Sequence, residues 1–275
     1  YTIQHTLSLH DALPISMNDF DAVGVTDVRR IRTLNEDAWY AGEHLVVVAD
    51  GMGGHAAGDV ASALTISALV ACDEGAVDRG GLAASVRAAN DAVLEHARTH
   101  PEAVGLGSTV CGLARTADGW LVFNAGDSRC YVIEKGTLRQ VTSDHSEVQE
   151  LVDNNLISAA DARIHPNRNV ITRAVGQEPH PVVDFFTVAA GHGARFVLAS
   201  DGLHSEIDDC RIAEICASTV SARELALALV DAALEAGGHD NVTVIVVDDL
   251  SDSDSAGRSG YTTVPRDLIV REVAK

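Results

Sequence analysis

Basic residues are scarce in this chain: 20 Lys and Arg stand against 40 Asp and Glu, a formal net charge of −20 over 275 residues. So acidic a surface repels nucleic acid and anionic membranes at long range, and neither is an expected partner. Phosphorylated ligands are not excluded, because bound cations reverse the local field inside a site. No apolar stretch approaches the roughly 18 residues that a membrane-spanning helix needs. Residues 1–16 lack a basic start followed by an apolar segment, which argues against a secretion signal. The five cysteines, Cys72, Cys111, Cys130, Cys210 and Cys216, show no paired spacing of the metal or disulfide kind. They read as buried, reduced thiols of a cytoplasmic protein. The pattern Gly-x4-Gly-Lys-[Ser/Thr] is also missing, which disfavours a P-loop nucleotide enzyme.

With 46% hydrophobic residues the chain can bury a large core, as one α/β domain or two small ones. Residues 1–16 look unlike the rest of the chain and read as an extraneous leader: an extension, a cloning remnant or a mistranslated upstream stretch. Met17 then reads as the natural start, 17–249 as the folded domain and 250–275 as a tail opening on Ser-Asp-Ser-Asp-Ser. Strands are expected at 21–26, 45–49, 109–113, 120–124, 129–133, 138–141, 182–188 and 195–199, where β-branched and aromatic residues lie between Gly, Asp and Pro. Helical spacing runs over 57–70, 82–97 and 222–235, with short helices at 146–154 and 158–163. Helices in pairs around two groups of strands suggest an α+β chain: two packed, mainly antiparallel sheets flanked by helix pairs, a four-layer αββα sandwich.

The chemistry is carried by aspartates at the polar ends of apolar runs. Leu45-Val46-Val47-Val48-Ala49 leads into Asp50-Gly51-Met52-Gly53-Gly54, and Phe196-Val197-Leu198-Ala199-Ser200 into Asp201-Gly202. Gly237-Gly238-His239-Asp240-Asn241 opens the run from Val242 to Val247. A carboxylate at the mouth of a buried strand sits on a rigid element yet faces solvent. Three that converge make an oxygen-rich site for hard divalent cations. Taken singly, each has a plainer reading: Asp50 and Asp240 as turn residues, Asp127 as a hairpin partner of Arg129.

In chain order, Asp27-Val28-Arg29-Arg30-Ile31-Arg32 with Glu36-Asp37, Asp50-Gly51-Met52-Gly53-Gly54, Gly107-Ser108-Thr109, Gly126-Asp127-Ser128-Arg129, Ser200-Asp201-Gly202 and Asp240-Asn241 resemble the bacterial metal-dependent protein phosphatases, the type 2C serine/threonine phosphatases. The resemblance spans residues 20–249. It implies a β-sandwich with helices on both outer faces. Asp50 would bridge two Mn²⁺ or Mg²⁺ ions, the Gly51 carbonyl would ligate one of them, and Asp201 and Asp240 would ligate the partner ion. Asp127 would join Asp201 at a third, weaker ion. Glu36 and Asp37 would hold metal-bound waters, and Arg32 would grip the substrate phosphate.

The implied reaction is hydrolysis of phosphoserine and phosphothreonine in proteins by a metal-bridging hydroxide, opposing serine/threonine kinases, with no phosphoenzyme. Asp144, His145 and Ser146 match a motif at the root of a substrate-facing flap, about 143–177. Two features depart from the pattern. Arg29 replaces a glycine common in relatives, so which of Arg29, Arg30 and Arg32 meets phosphate stays open. Met52 stands where eukaryotic relatives place their proposed general acid, and His55 reads as either that acid or a loop residue. Two rival functions remain: a non-catalytic pseudophosphatase serving as a regulatory binding module, and a phosphatase of small phosphate esters.

Overall fold

Side-chain alternation along the strands decides which layer each residue enters. In the run 45–49, Leu45, Val47 and Ala49 enter one core while Val46 and Val48 enter another. The period of two therefore survives inside an unbroken apolar sequence, because both faces of the strand are covered. The computed structural model describes residues 14–16, 20–28, 34–53, 57–75, 77–117, 119–189, 193–250 and 272–273.

In chain order the strands are β1 (Pro14–Ser16), β2 (Phe20–Asp27), β3 (Asp37–Ala41), β4 (Leu45–Met52), β5 (Gly107–Ser108), β6 (Val110–Thr116), β7 (Gly119–Ala125), β8 (Arg129–Glu134), β9 (Thr137–Gln140), β10 (Asp184–Val188), β11 (Arg195–Ala199), β12 (Val242–Asp249) and β13 (Glu272–Val273). The helices are α1 (Gly58–Val70), α2 (Arg79–Thr99), α3 (Glu147–Asp153), α4 (Ala159–Ile164), α5 (Asp201–His204), α6 (Asp209–Ser218) and α7 (Ala222–Ala236). One sheet has the order β1-β2-β12-β11-β8-β9. The other has β13-β10-β7-β6-β4-β3, with β5 paired to β4. Every pairing is antiparallel.

Three apolar layers hold the sandwich together. Phe20, Trp39, Val46, Leu113, Trp120, Phe196 and Ile245 fill the space between the sheets. Ile66, Leu69, Leu82, Val86 and Val93 of α1 and α2 cover the outer face of the second sheet. Leu225, Leu229 and Val230 of α7, with Ile212 and Ile215 of α6, cover the first. Burying one such side chain contributes about 1.5–3 kcal/mol. Trp120 Nε1–H donates to Asp249 Oδ2 at 2.9 Å and ties the two sheets by a polar bond. Helix ends follow local chemistry: Asp78 accepts from the Gly81 N–H and Ser221 from the Glu224 N–H, while Gly237 closes α7.

The four-layer expectation is met, and the expected strands and helices appear with ends moved by a few residues. Two elements differ. Asp37–Ala41, where no strand was expected, is strand β3, because Trp39 and Tyr40 pair with β4 and enter two opposite cores. Asp201, expected at a strand end, begins the short helix α5. The cysteines also divide: Cys111, Cys130 and Cys216 are buried, whereas Cys210 is exposed and Cys72 half-buried. Pro14–Ser16, within the segment expected to be extraneous, pairs with β2.

Candidate metal centre

The antiparallel register of β3 and β4 sets Asp37 directly opposite Asp50. Like charges in that relation oppose each other, so the pairing is costly by itself. On the other sheet, Asp201 follows β11 and Asp240 precedes β12. These strand ends lie side by side, with the Ser200 N–H donating to the Thr243 carbonyl at 3.0 Å. Asp127 lies in the turn between β7 and β8. Both sheets thus deliver carboxylates to one end of the sandwich.

Asp37 is held by a directed chain of donors. Ser200 Oγ–H and Thr243 Oγ1–H both donate to its Oδ2, at 2.8 and 2.7 Å. Since Thr243 spends its proton there, it accepts from Thr26 Oγ1–H at 2.8 Å, and Thr26 accepts from Asn35 Nδ2 at 2.8 Å. One carboxylate oxygen is saturated. The other, Oδ1, is buried with no hydrogen-bond partner.

Asp50 is fixed through its backbone. Its N–H donates to Thr109 Oγ1 at 3.0 Å, and its carbonyl accepts from the Thr109 N–H at 2.8 Å and from Ser108 Oγ at 3.1 Å. The next residue, Gly51, donates its N–H to the Glu36 carbonyl at 3.0 Å. A side chain on Gly51 would overlap the Gly58 carbonyl at the start of α1, so this close approach requires glycine. Glu36 is buried, and its N–H donates to Asn241 Oδ1 at 3.0 Å.

Asp127 has one buried side-chain oxygen, Oδ1, without a partner. Its carbonyl accepts from His204 Nε2 at 3.1 Å. Burial, then the nearby Arg129 charge, depress the His204 imidazole to about 3, so it serves as a neutral donor. The plainer reading of Asp127 as the partner of Arg129 does not hold: Arg129 makes a bidentate pair with Asp144, at 2.9 and 2.7 Å. Ahead of Asp127, Gly126 adopts a φ of 131° and donates its N–H to His145 Nδ1 at 3.1 Å. The proton of His145 is therefore on Nε2, directed at Asp184 Oδ2 3.2 Å away, while Arg173 donates to Asp184 Oδ1 at 3.0 Å. Ser146 caps α3 by accepting from the Gln149 N–H.

The carboxylates sense one another. Burial pushes Asp37 up to about 7; Thr243 and Ser200 pull it back, and Asp201 and Asp240 add to the rise. Asp50 lies well above the usual carboxylate range because of burial and then the charges of Asp37, Asp201, Asp127 and Asp240. Asp127 is raised by burial and then by Asp201 and Asp144. Among the described residues, no three His, Cys, Asp or Glu side chains close into a finished ligand set. What stands there is a group of mutually repelling acids, with Asp37 Oδ1 and Asp127 Oδ1 buried and unpartnered. All-oxygen donors of this kind fit hard divalent cations.

Of the residues singled out in the sequence, Glu36, Asp37, Asp50, Gly51, Asp127, Asp201 and Asp240 fall at this end of the fold. Arg32, with Arg29 and Arg30, lies outside the described residues, as does His55. Sequence reasoning passed over Thr243, Thr26, Asn35 and His204 of the supporting shell, and quoted Ser200 and Asn241 in motifs without assigning them a role. Asn241 uses its whole amide, accepting from Glu36 and donating from Nδ2 to the carbonyls of Val28 at 3.1 Å and Leu34 at 3.2 Å. A signal existed in Thr243 and Ser200, hydroxyl residues set in otherwise apolar strand runs and completely buried.

The fold is that of the metal-dependent phosphatases. The family profile for protein phosphatase 2C matches residues 27–233, and the chain belongs to that family. It is 40% identical over 224 residues to the serine/threonine protein phosphatase PstP of Mycobacterium tuberculosis, covering 79% of this chain and 43% of that one. The chain thus spans less than half the length of this relative. It is 35% identical over 238 residues to the serine/threonine phosphatase stp of Listeria welshimeri, covering 81% of this chain and 93% of that one. A crystal structure of the PstP catalytic domain in complex with two manganese ions superposes with a TM-score of 0.77 at 36% identity, covering 85% of this chain and 99% of that one.

Proposed function

We propose that this chain hydrolyses phosphoserine and phosphothreonine in proteins, opposing serine/threonine kinases in the cytoplasm, without nucleic acid or membrane partners. The observation that carries the reading is the group of buried and half-buried, mutually repelling carboxylates at the converging strand ends, with Asp37 and Asp127 buried and each holding an unpartnered oxygen. Such a group is costly unless positive charge joins it.

Asp50, Asp201, Asp240 and the Gly51 carbonyl would hold two Mn²⁺ or Mg²⁺ ions, and Asp127 with Asp201 a third, weaker one. Bound cations of this kind supply a water acidic enough to ionise near neutral pH and charge to set against phosphoryl oxygens. The chain's own residues position the reactants. Asp37, with Oδ2 tied to Ser200 and Thr243, keeps Oδ1 as a fixed acceptor for a water, and Glu36 stands beside it. Arg32 binds two phosphate oxygens through its planar guanidinium. Asp144, His145 and Ser146 root the flap on the Asp127 turn. With Leu156 and Ile164 exposed on it, the flap meets the protein part of the substrate.

Release of an aryl alcohol from its phosphate ester with Mn²⁺, abolished by chelator, and then release of phosphate from a phosphothreonine peptide, test this reading. Activity on both substrates is expected. Failure on both identifies a non-catalytic binding module, and activity on the aryl ester alone identifies a small-ester phosphatase.

A further inference from the structure

Asn90 is a polar residue on the apolar face of α2, fully buried between Ala89 and Val93, which both enter the helix-covered core. A carboxamide there is unfavourable unless hydrogen bonds compensate its burial, three of which Asn90 makes. All go to one short segment 86 and 87 residues away. Its Oδ1 accepts from the N–H groups of Gly176 at 2.7 Å and Gln177 at 3.0 Å, and its Nδ2 donates to the Gln177 carbonyl at 3.0 Å. Turning the amide over would break all three bonds, so its orientation is fixed by its partners.

That segment is the second root of the flap. Gly176 has a φ of 98°, and a side chain on it would meet Val93 Cγ1 at 2.8 Å and the Leu106 carbonyl at 2.9 Å. The turn closes on itself through the Ala174 N–H, which donates to Gln177 Oε1 at 3.1 Å. Val175 exchanges backbone bonds with Ser108, and Ser108 Oγ donates to the Asp50 carbonyl. One residue along α2, Asp91 accepts from His180 Nε2 at 2.8 Å just beyond the flap. The flap therefore leaves the body at Asp144–Ser146, beside Asp127, and returns at a turn that Asn90 grips beside Asp50.

We infer that Asn90 is a positioning residue for protein substrates: it fixes the returning root of the flap, and so the height of the flap over the carboxylates, without touching the reacting groups. This rests on the reading of the flap as the part that meets protein substrate. Loss of Asn90 should then impair turnover of a phosphoprotein and spare a phosphoester too small to reach the flap.

The test compares the full chain and Asn90→Ala, in Mn²⁺, on a phosphothreonine peptide and on an aryl phosphate, with the Mn²⁺ activation constant measured alongside. The expected result is about a tenfold loss of kcat/KM on the peptide, with the aryl phosphate and the Mn²⁺ constant within twofold of wild type. Gln177→Ala, which loosens the same turn without altering α2, should show the same split at about threefold, and it decides the matter if Asn90→Ala does not fold. Equal losses on both substrates, a shifted Mn²⁺ constant, or no loss on the peptide overturn the inference. Replacing flap residues 156–164 by a Gly-Ser linker separates the two readings. Peptide turnover untouched by that replacement removes the flap reading and this inference with it. Peptide turnover lost there but intact in Asn90→Ala removes the inference alone.

Discussion

Two sets of buried or half-buried aspartates can be compared among the described residues, Asp144 and Asp184 against Asp37, Asp50 and Asp127, and only the first is neutralised by an arginine of the protein. Asp144 and Asp184 are each matched to a cation of the chain: Arg129 grips Asp144 with two parallel bonds, and Arg173 meets Asp184 beside His145. Burial pushes the Asp144 carboxyl up, yet the charge and hydrogen bonds of Arg129 outweigh that and hold it below the usual range. Asp37, Asp50 and Asp127 have burial without such a partner, and all three are raised. The same side chain in the same fold is structural where a guanidinium answers it. Where other carboxylates surround it, it is raised and belongs to the proposed site.

Exchanging charge for shape should separate the two sets. The largest effect is expected at the clustered set in the loaded protein. Asp50→Asn or Asp240→Asn, each removing one formal charge from the ligand group, should lower Mn²⁺-dependent turnover of an aryl phosphate by about a hundredfold or more, as loss of one preorganised charge-stabilising group does elsewhere. Near-wild-type turnover in both variants would remove these residues from the site.

Stability in chelator should then divide the sets by sign. Asp184→Asn leaves Arg173 without its buried counter-charge and should cost about 3 kcal/mol in denaturant unfolding. Asp37→Asn removes a repelled carboxylate while keeping its shape, and should leave the metal-free protein as stable as wild type or more so. Destabilisation of both by similar amounts would erase the distinction.

The smallest effect is in pH dependence. Asp37 is raised above its unfolded value, so the stability it contributes is complete below about pH 4 and is lost as pH rises through about 7. Asp50 and Asp127 act in the same direction. In chelator the melting temperature should therefore fall between about pH 5 and 8, and the rise produced by Mn²⁺ should be larger at about pH 8. A ligand at a hundred times its Kd adds about 2.7 kcal/mol. An equal Mn²⁺ shift at both pH values would contradict the assignment.

Much of this arrangement was legible in the sequence, and the limits have physical causes. Apolar runs bounded by Asp50, Asp201 and Asp240 announced both strands and candidate site, because buried strands need continuous hydrophobicity and their ends need not. Strand β3 escaped notice because its five residues begin with Asp37 and offer too short a pattern to separate from the polar segment before it. The shell around Asp37 was hidden for another reason. Thr26, Asn35, Ser200 and Thr243 come from three distant stretches, and nothing in their spacing shows that their hydroxyls and amide form one chain ending on a single carboxylate oxygen. Asn90 was hidden likewise, as one of several polar residues in an Ala-rich helix and the one that is buried.

The contrast between the two sets rests on one premise: the clustered carboxylates are raised because the cations that complete them are supplied from solution. Calorimetric titration of Mn²⁺ into chelator-treated protein, repeated in buffers of different ionisation enthalpy, measures both ions bound and protons displaced. Near pH 6.5, binding of two ions with net proton release is expected, a release that shrinks by about pH 8.5 and binding that is lost in Asp50→Asn. Binding with no proton release at about pH 6.5, or unchanged binding in Asp50→Asn, would contradict the premise.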